Sequence, residues 1–423
     1  MSPILVMKFG GTSVADAERI RRAARRIVAK RAAGHQVVAV LSARGKTTDG
    51  LIAMASEVSE TPDPREMDML LSTGERISCA LCAMAINDLG HKAISLTGSQ
   101  AGIVTDTSHT KARILDVRAD RIREALAEDL IVLVAGFQGV STARDVTTLG
   151  RGGSDTTAVA LAAAVNADVC EIYTDVDGVF SADPRIVPDA RKLPVVSFEE
   201  MLEMAASGAG VLQLRSVEYA RNHGVRIHCR SSFRDHPGTV VVGEEETLEQ
   251  PLITAVTHST AEARVTLIGV PDQPGAAARI FGALAAANIN VDVIVQNEPV
   301  SAGGRAEISF TVPRDDLRTA SQALEPLQGE AYAELVTELE MGKVSIVGAG
   351  MRSHPGVAAK VFDVLGGEQI NIDMISTSPI RISCVIDAEN VPRAVRALHS
   401  AFELGGADTV QVEDTFRPRG EPA

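Results

Sequence analysis

Thr147–Ala158 is TTLGRGGSDTTA, and its counterpart near the N-terminus, Lys8–Ser13, is KFGGTS. Each is a glycine-rich turn set between an apolar run and a helical pattern. Ile4–Phe9 reads as a buried strand, Gly10–Ser13 as the turn and Val14–Arg31 as a helix. Farther along, Asp129–Gly136 reads as a strand, Gly150–Gly153 as a loop and Ser154–Val165 as an alanine-rich helix. Glycine lets backbone N–H groups approach an anion, and a helix N-terminus adds a partial positive charge. Two such turns can hold one polyphosphate, with Lys8 and Arg151 supplying full charges.

The strand–helix alternation extends over the first half of the chain. Apolar runs at Ile4–Phe9, Gln36–Ser42, Ala93–Thr97, Leu130–Gly136 and Cys170–Thr174 are separated by helical stretches. That pattern predicts an α/β sandwich around a mainly parallel sheet, closed by strands at Val225–Arg230 and Thr239–Val242. This unit spans residues 1–243. Glu244–Gln250 is acidic and polar and reads as a linker, part of a joining segment over 244–262. The remainder holds an internal repeat. VTLIGVPDQPGAAARIFGALAAANINVDVI corresponds to VSIVGAGMRSHPGVAAKVFDVLGGEQINIDMI, with Pro355 repeating Pro274 and Asp373 repeating Asp292 at one constant offset. Each copy reads strand, turn, helix, strand, strand, helix, over 263–341 and 342–423. The helices bury stripes such as Ile280, Leu284 and Ile289, or Val361, Leu365 and Ile370.

A chain of 423 residues exceeds the size at which single cores stop growing. The cores are built from Ala, Val, Ile and Leu, since aromatics are 3% and Trp is absent. A net charge of −14 argues against nucleic-acid binding, because a phosphate backbone repels an acidic surface. No signal peptide and no apolar run long enough to span a bilayer is expected, so a cytoplasmic protein without a membrane partner is the default. The five cysteines form no disulfide framework.

Three motifs are decoys. Cys79 and Cys82 form a CxxC, but no second pair follows at ligand spacing, and Arg65–Leu89 reads as one continuous helix that would bury both. Arg44-Gly45-Lys46-Thr47-Thr48 mimics the end of a phosphate-binding loop, yet Val40 occupies the position of its first glycine. Gly348-Ala349-Gly350 lacks the third glycine of a dinucleotide fingerprint, where Ser353 stands.

The two glycine turns together resemble those of the amino-acid kinase family and, within it, the aspartate kinases. GERIS at Gly74–Ser78, GFQGV at Gly136–Val140, TDVDGVFSADPR at Thr174–Arg185 and LRSVEYA at Leu214–Ala220 extend the resemblance in the family's order over nearly the whole chain. The repeat looks like a tandem pair of ACT domains, small modules that bind amino acids. The resemblance implies an amino-acid-kinase-like three-layer sandwich followed by two ferredoxin-like α+β ACT domains. It implies transfer of the γ-phosphoryl of ATP to the side-chain carboxylate of L-aspartate, giving 4-phospho-L-aspartate and ADP. Such a transferase feeds lysine, threonine and methionine biosynthesis.

The chemistry agrees with the residue types. A carboxylate is already ionised at neutral pH, so no general base is needed. The difficulty is bringing an anion to a polyanion, which calls for cations and backbone dipoles. Lys8 is the expected cation at the transferring phosphoryl, and Asp155 is expected to orient either Lys8 or the metal-bound phosphates. Arg151 can grip an α-carboxylate in bidentate fashion. Glu75 can accept from the α-ammonium. Ser42, Thr47, Gly153 and Ser154 complete the acceptor pocket. The resemblance places the nucleotide on Lys8, Gly10, Gly11 and Ser13, with Thr174, Asp175, Phe180, Asp183, Pro184 and Arg185 on its ribose and phosphate side. Mg²⁺ rides on the ATP phosphates without a dedicated protein cage. The expected effector contacts are Asp272, Ala277, Asn290 and Gln296 in one copy and Asn371, Ile372 and Ser378 in the other. Lysine or threonine is the effector class, and a homodimer or higher oligomer completes the ACT sheets.

Some positions depart from the family pattern. Arg44 and Lys46 add two charges after Ser42, which suggests either a more anionic acceptor or two solvent-facing side chains. Gly210 stands where relatives carry a lysine, which predicts weaker ATP affinity. Ala358 and Pro379 replace a hydroxyl and an acidic residue, which predicts reduced or altered feedback inhibition. Two other functions fit the same residues: a same-fold kinase for a different carboxylate, and a non-catalytic amino-acid sensor. Retention of Lys8, Glu75, Arg151 and Asp155 argues against the sensor.

Overall fold

The computed structural model describes residues 2–246, 252–297 and 305–406. In chain order the first half runs β1 (Ile4–Phe9), α1 (Ala17–Ala32), β2 (Gln36–Leu41), α2 (Thr47–Val58), α3 (Pro64–Leu71), α4 (Thr73–Asp88), β3 (Ala93–Leu96), β4 (Ile103–Thr105), β5 (Ile114–Val117), α5 (Asp120–Ala127) and β6 (Ile131–Ala135). It continues with β7 (Gln138–Ser141), β8 (Val146–Thr148), α6 (Gly153–Val165), β9 (Val169–Thr174), β10 (Val195–Ser197), α7 (Phe198–Ala206), α8 (Leu214–His223), β11 (Ile227–Ser231) and β12 (Thr239–Val242).

Eight of these strands form one sheet in the order β10-β12-β11-β9-β1-β2-β6-β3. Every neighbouring pair is parallel except β11 with β12. Side chains alternate across the sheet, so Leu5, Met7 and Phe9 face α1 and α4, while Val6 faces the layer of α5 to α8. This is the expected three-layer sandwich. Lys8 follows Val6 in the alternation and therefore points toward α6. A second, four-stranded sheet, β5-β4-β7-β8, was not foreseen from the sequence; its strands are only three or four residues long.

Two sequence expectations are corrected in the helical layer. The stretch 65–89 is not one helix: Ser72 separates α3 from α4, and the Gln138 amide donates to the Ser72 carbonyl at 2.8 Å at this junction. By length and hydropathy alone Pro64–Asp88 is also apolar enough to cross a membrane, contrary to the expectation that no run is. It carries the buried carboxylates Asp68 and Glu75 and packs against α1 and β3, as a core helix pair does. Cys79 and Cys82 lie in that core, where burial pushes the Cys82 thiol up to about 12.

The second half contains β13 (Ala255–Pro271), α9 (Ala276–Ala286), β14 (Ile294–Asn297), β15 (Arg305–Pro313), α10 (Leu317–Leu324), β16 (Glu334–Val347), α11 (Val357–Gly367), β17 (Met374–Ser378), β18 (Arg381–Asp387) and α12 (Val391–Ala401). The repeat does not make two separate sheets. One six-stranded sheet, β14-β15-β13-β16-β18-β17, runs through both copies. β13 and β16 are long enough to serve two modules. Arg264–Ile268 pairs with Glu334–Glu338 in the first copy, while Ala255–Ser259 pairs with Lys343–Val347 in the second. The strand in the joining segment thus supplies an edge to the distant copy, a long-range pairing with no local sequence signature. The junction is closed by Val293, Met341, Met374 and Val385. Across it Asp292 pairs with Lys343 at 2.5 Å and Asp373 with Arg264 at 3.8 Å, so each repeated aspartate reaches a cation on the other copy's first strand.

Candidate active site

In parallel α/β sheets, ligands bind at the carboxyl ends of the strands. Here the segments after β1, β2, β6 and β9 are Gly10–Ser13, Ser42–Thr47, Gly136–Phe137 and Asp175–Gly178, and all lie at that edge. Hydrogen bonds tie them together: Ser42 N–H donates to Phe9 O at 3.1 Å, Gly136 N–H to Leu41 O at 3.1 Å and Gly10 N–H to Tyr173 O at 3.3 Å.

The first turn of α6 arrives at the same edge. Gly136 permits this, since a Cβ there would lie 2.8 Å from Ser154 Oγ and 2.9 Å from Val40. Lys8 Nζ then meets Asp155 Oδ1 at 2.5 Å, with both side chains about nine-tenths buried. Lys8 Nζ also lies 3.5 Å from the position of a Cβ on Gly10, so a side chain there would crowd the ammonium. The two distant glycine turns therefore converge: KFGGTS brings an ammonium group, and the helix behind GRGGSD brings its N-terminal dipole and the carboxylate that pairs with it. Arg151 sits in the turn four residues before Asp155; it is exposed and has no carboxylate partner among the described residues.

Glu75 occupies the first turn of α4, a position created by the helix break at Ser72. Its Oε1 accepts from Ala43 N–H at 3.1 Å, while the other oxygen is buried without a hydrogen bond among the described residues. Burial pushes the Glu75 carboxyl up to about 7. A buried carboxylate with one free oxygen gains by meeting a cation. Gly74 packs against Ala43 and Thr47, so Glu75, Ser42 and Thr47 share one corner. The Thr47 hydroxyl donates to Arg44 O at 2.7 Å, Gly153 packs against Leu149 and Phe137, and Ser154 is buried.

Of the residues expected to hold the nucleotide, Gly11 abuts Ala43 and Gly45, and Ser13 Oγ lies 2.5 Å from Ser232 Oγ on the loop after β11. Thr174 Oγ1 donates to Asp175 at 3.2 Å. Asp183 and Arg185 bond each other at 2.6 Å rather than another element, and the guanidinium holds the carboxyl below its ordinary range. Phe180 is half-buried and Pro184 exposed. Ser181, between them, lies 2.9 Å from His399 Nε2 of α12 and donates to Leu404 O at 3.2 Å, so this segment also carries the regulatory half. Among the described residues no group of three His, Cys, Asp or Glu side chains could hold a metal.

Arg44 corrects one sequence reading. It does not face solvent with Lys46: its guanidinium donates to Ala15 O at 3.3 Å, clamping the KFGGTS turn from behind. The carbonyl at the end of a short helical turn attracts it there. Three residues that shape the site were missed. Gln213 fills the space over Gly152, Phe137 adopts φ 68° beside Gly153, and buried Asp68 bonds the segment before the glycine turn. GFQGV drew attention to Phe137's segment without revealing its backbone; Asp68 and Gln213 carry no local signal.

The expected effector residues divide. Asp272, Ala277 and Asn290 lie on the loops and helix start of the first copy, and Asn371 and Ile372 on the matching loop of the second. Gln296 and Ser378 lie on β14 and β17, opposite edges of the six-stranded sheet. Ser378 turns to the kinase half, donating to Glu203 of α7 at 2.8 Å.

The amino acid kinase family model matches residues 3–231, and an ACT domain model matches 265–326 and 344–402. The chain belongs to the amino acid kinase family. It is 57% identical over 413 residues to the aspartokinase of Mycolicibacterium smegmatis, covering 97% of this chain and 98% of that one. Its fold matches E. coli aspartokinase III in complex with aspartate and ADP (R-state) with a TM-score of 0.81 at 27% identity, over 94% of this chain and 99% of that one. The same enzyme with lysine and aspartate (T-state) superposes less closely, with a TM-score of 0.71 at 27% identity over the same shares. This member of the kinase family is an enzyme with a regulatory ACT region, and its aspartokinase relatives span its length.

Proposed function

We propose that this kinase transfers the γ-phosphoryl of ATP to the β-carboxylate of L-aspartate, and that Lys8, Glu75, Arg151 and Asp155 carry the reaction. Arg151 binds the α-carboxylate and Glu75 the α-ammonium, which presents the β-carboxylate at the first turn of α6. A carboxylate oxygen forms a bond to the γ-phosphorus as the bond from that phosphorus to the bridging oxygen breaks. ADP leaves with the electron pair, and no proton moves. Lys8 and the amides of both turns oppose the charge on the phosphoryl oxygens. Asp155 keeps the Lys8 ammonium at that point. The donor set fits a Mg²⁺ that arrives on the triphosphate with its waters rather than one caged by protein; when bound it neutralises phosphate charge.

The single observation that carries this reading is the 2.5 Å contact between Lys8 and Asp155, which joins the two glycine turns in one site. The enzyme works in the cytoplasm as a homodimer or higher oligomer, supplies lysine, threonine and methionine synthesis, and responds to an amino-acid effector at the ACT pair. Arg44 is engaged with Ala15, which supports aspartate over a more anionic acceptor. The test is aspartate-dependent ADP release with the acylphosphate trapped as a hydroxamate, run against a panel of carboxylate acceptors. Repeating it with lysine and threonine, separately and together, tests regulation. Turnover on another acceptor in preference to aspartate overturns the assignment.

A further inference from the structure

We infer that Asp68 is a positioning residue for aspartate binding: it holds Thr110 in a left-handed backbone conformation and so fixes the glycine turn that carries Arg151. The inference rests on the role given to Arg151 above. Asp68 lies on α3 and is fully buried. Its carboxylate accepts from Thr148 Oγ1 at 2.5 Å and contacts His109 Nδ1 at 2.7 Å. The Thr110 N–H lies 3.1 Å from both oxygens. A carboxylate this deeply buried touches no substrate; its partners are what it organises.

Those partners form the wall of the turn. Thr148 is the last residue of β8, immediately before Leu149–Gly153. Thr110 has φ 66°, a conformation that β-branched residues avoid because Cβ crowds the carbonyl. Its carbonyl oxygen lies 3.2 Å from the position of a Cβ on Gly150, so the segment lies directly along the turn. Ala112 N–H donates to Thr148 O at 2.9 Å, and Arg215 bridges the two segments by donating to Leu149 O at 2.7 Å and Ala112 O at 3.0 Å. Among the described residues Asp68 is thus the group bonded both to the strand that enters the turn and to the strained residue packed against it. Strain held by surrounding structure is a feature of binding sites, and here the holding group is identified.

Replacing Asp68 by Asn keeps size and removes the charge, and the amide N–H groups then oppose the Thr110 and Thr148 donors. In Asp68→Asn the aspartate KM rises at least tenfold while the ATP KM stays within twofold. In Asp68→Asn/Thr110→Gly, where glycine adopts the positive φ without strain, the aspartate KM returns to within about threefold of wild type. Thr148→Val, which removes one donor at constant shape, raises the aspartate KM about threefold and serves if Asp68→Asn does not fold. An aspartate KM unchanged in either single variant, or equal rises in both KM values without rescue by glycine, overturns the inference in favour of a merely stabilising role. Arg151→Ala is measured in parallel. An unchanged aspartate KM there overturns the reading of Arg151 and this inference with it. A raised KM in Arg151→Ala beside an unchanged one in Asp68→Asn overturns this inference alone.

Discussion

Three helices of this chain begin behind a left-handed glycine with no side-chain cap: α6 behind Gly152 (φ 71°), α9 behind Gly275 (φ 94°) and α11 behind Gly356 (φ 97°). The backbone device is the same, and the surroundings differ. A Cβ at Gly152 would lie 2.0 Å from Gln213, whereas at Gly275 or Gly356 it meets nothing within 4 Å among the described residues. In the kinase half, Lys8 from β1 meets Asp155 in the first turn of α6, and Gln213 packs over the glycine that precedes it. In the regulatory half the same turns stand open. A helix start offers amides and a partial charge, but only convergent side chains from other elements turn it into a site that discriminates between ligands. Among the described residues the kinase half has that second layer at Gly152, and the ACT modules lack it at Gly275 and Gly356.

The largest break in the comparison comes from removing the cation. Lys8→Ala is expected to lower kcat by about 10²–10³-fold in steady-state ADP release, the size of one lost transition-state contact. A loss below tenfold would make the enclosed turn no better than the open ones. Next is Glu75→Gln, expected to cut kcat/KM for aspartate by about 10²-fold, equivalent to losing one charged hydrogen bond. The same change should stabilise the protein at pH 8. The folded carboxyl is raised from 4.5 to about 7, so its contribution favours folding below pH 4.5 and is lost as pH rises through 7. Above that pH the ionised group costs on the order of 3 kcal/mol, which denaturant titration of Glu75→Gln at pH 8 and pH 5 would resolve. In wild type, kcat/KM for aspartate should fall with decreasing pH below about 7, as Glu75 protonates and loses its attraction for the ammonium.

Glycine substitution probes the enclosure directly. Gly152→Ala meets both the positive φ and Gln213, and is expected to cost about 3 kcal/mol and to raise the aspartate KM. Gly275→Ala and Gly356→Ala meet only the positive φ and should cost about 1 kcal/mol each without affecting uninhibited turnover. Equal melting-temperature losses at all three would erase the distinction. The smallest effect is expected at Gly210, where a Cβ would meet nothing within 4 Å among the described residues. Gly210→Lys should leave thermal stability unchanged and lower the ATP KM severalfold; an unaltered ATP KM would show that no nucleotide cation is missing there.

The pattern of the chain alone indicated the layered kinase half and the two glycine turns that meet through Lys8 and Asp155. Strand and helix periodicities are local, and so are the glycine turns behind Lys8 and before Asp155, because the conformation they need is a property of a few consecutive residues. The repeat in the second half was equally legible. What no local pattern encodes is which segments meet. Folding alone set the 255–259 strand beside 343–347, turned Arg44 onto Ala15 and Ser378 onto Glu203, and placed Asp68 and Gln213 against the glycine turn. An aspartate inside a helix or a glutamine before one looks the same whether it faces water or a loop eighty residues away; its role exists only once burial has stripped it of solvent and left it a single set of partners.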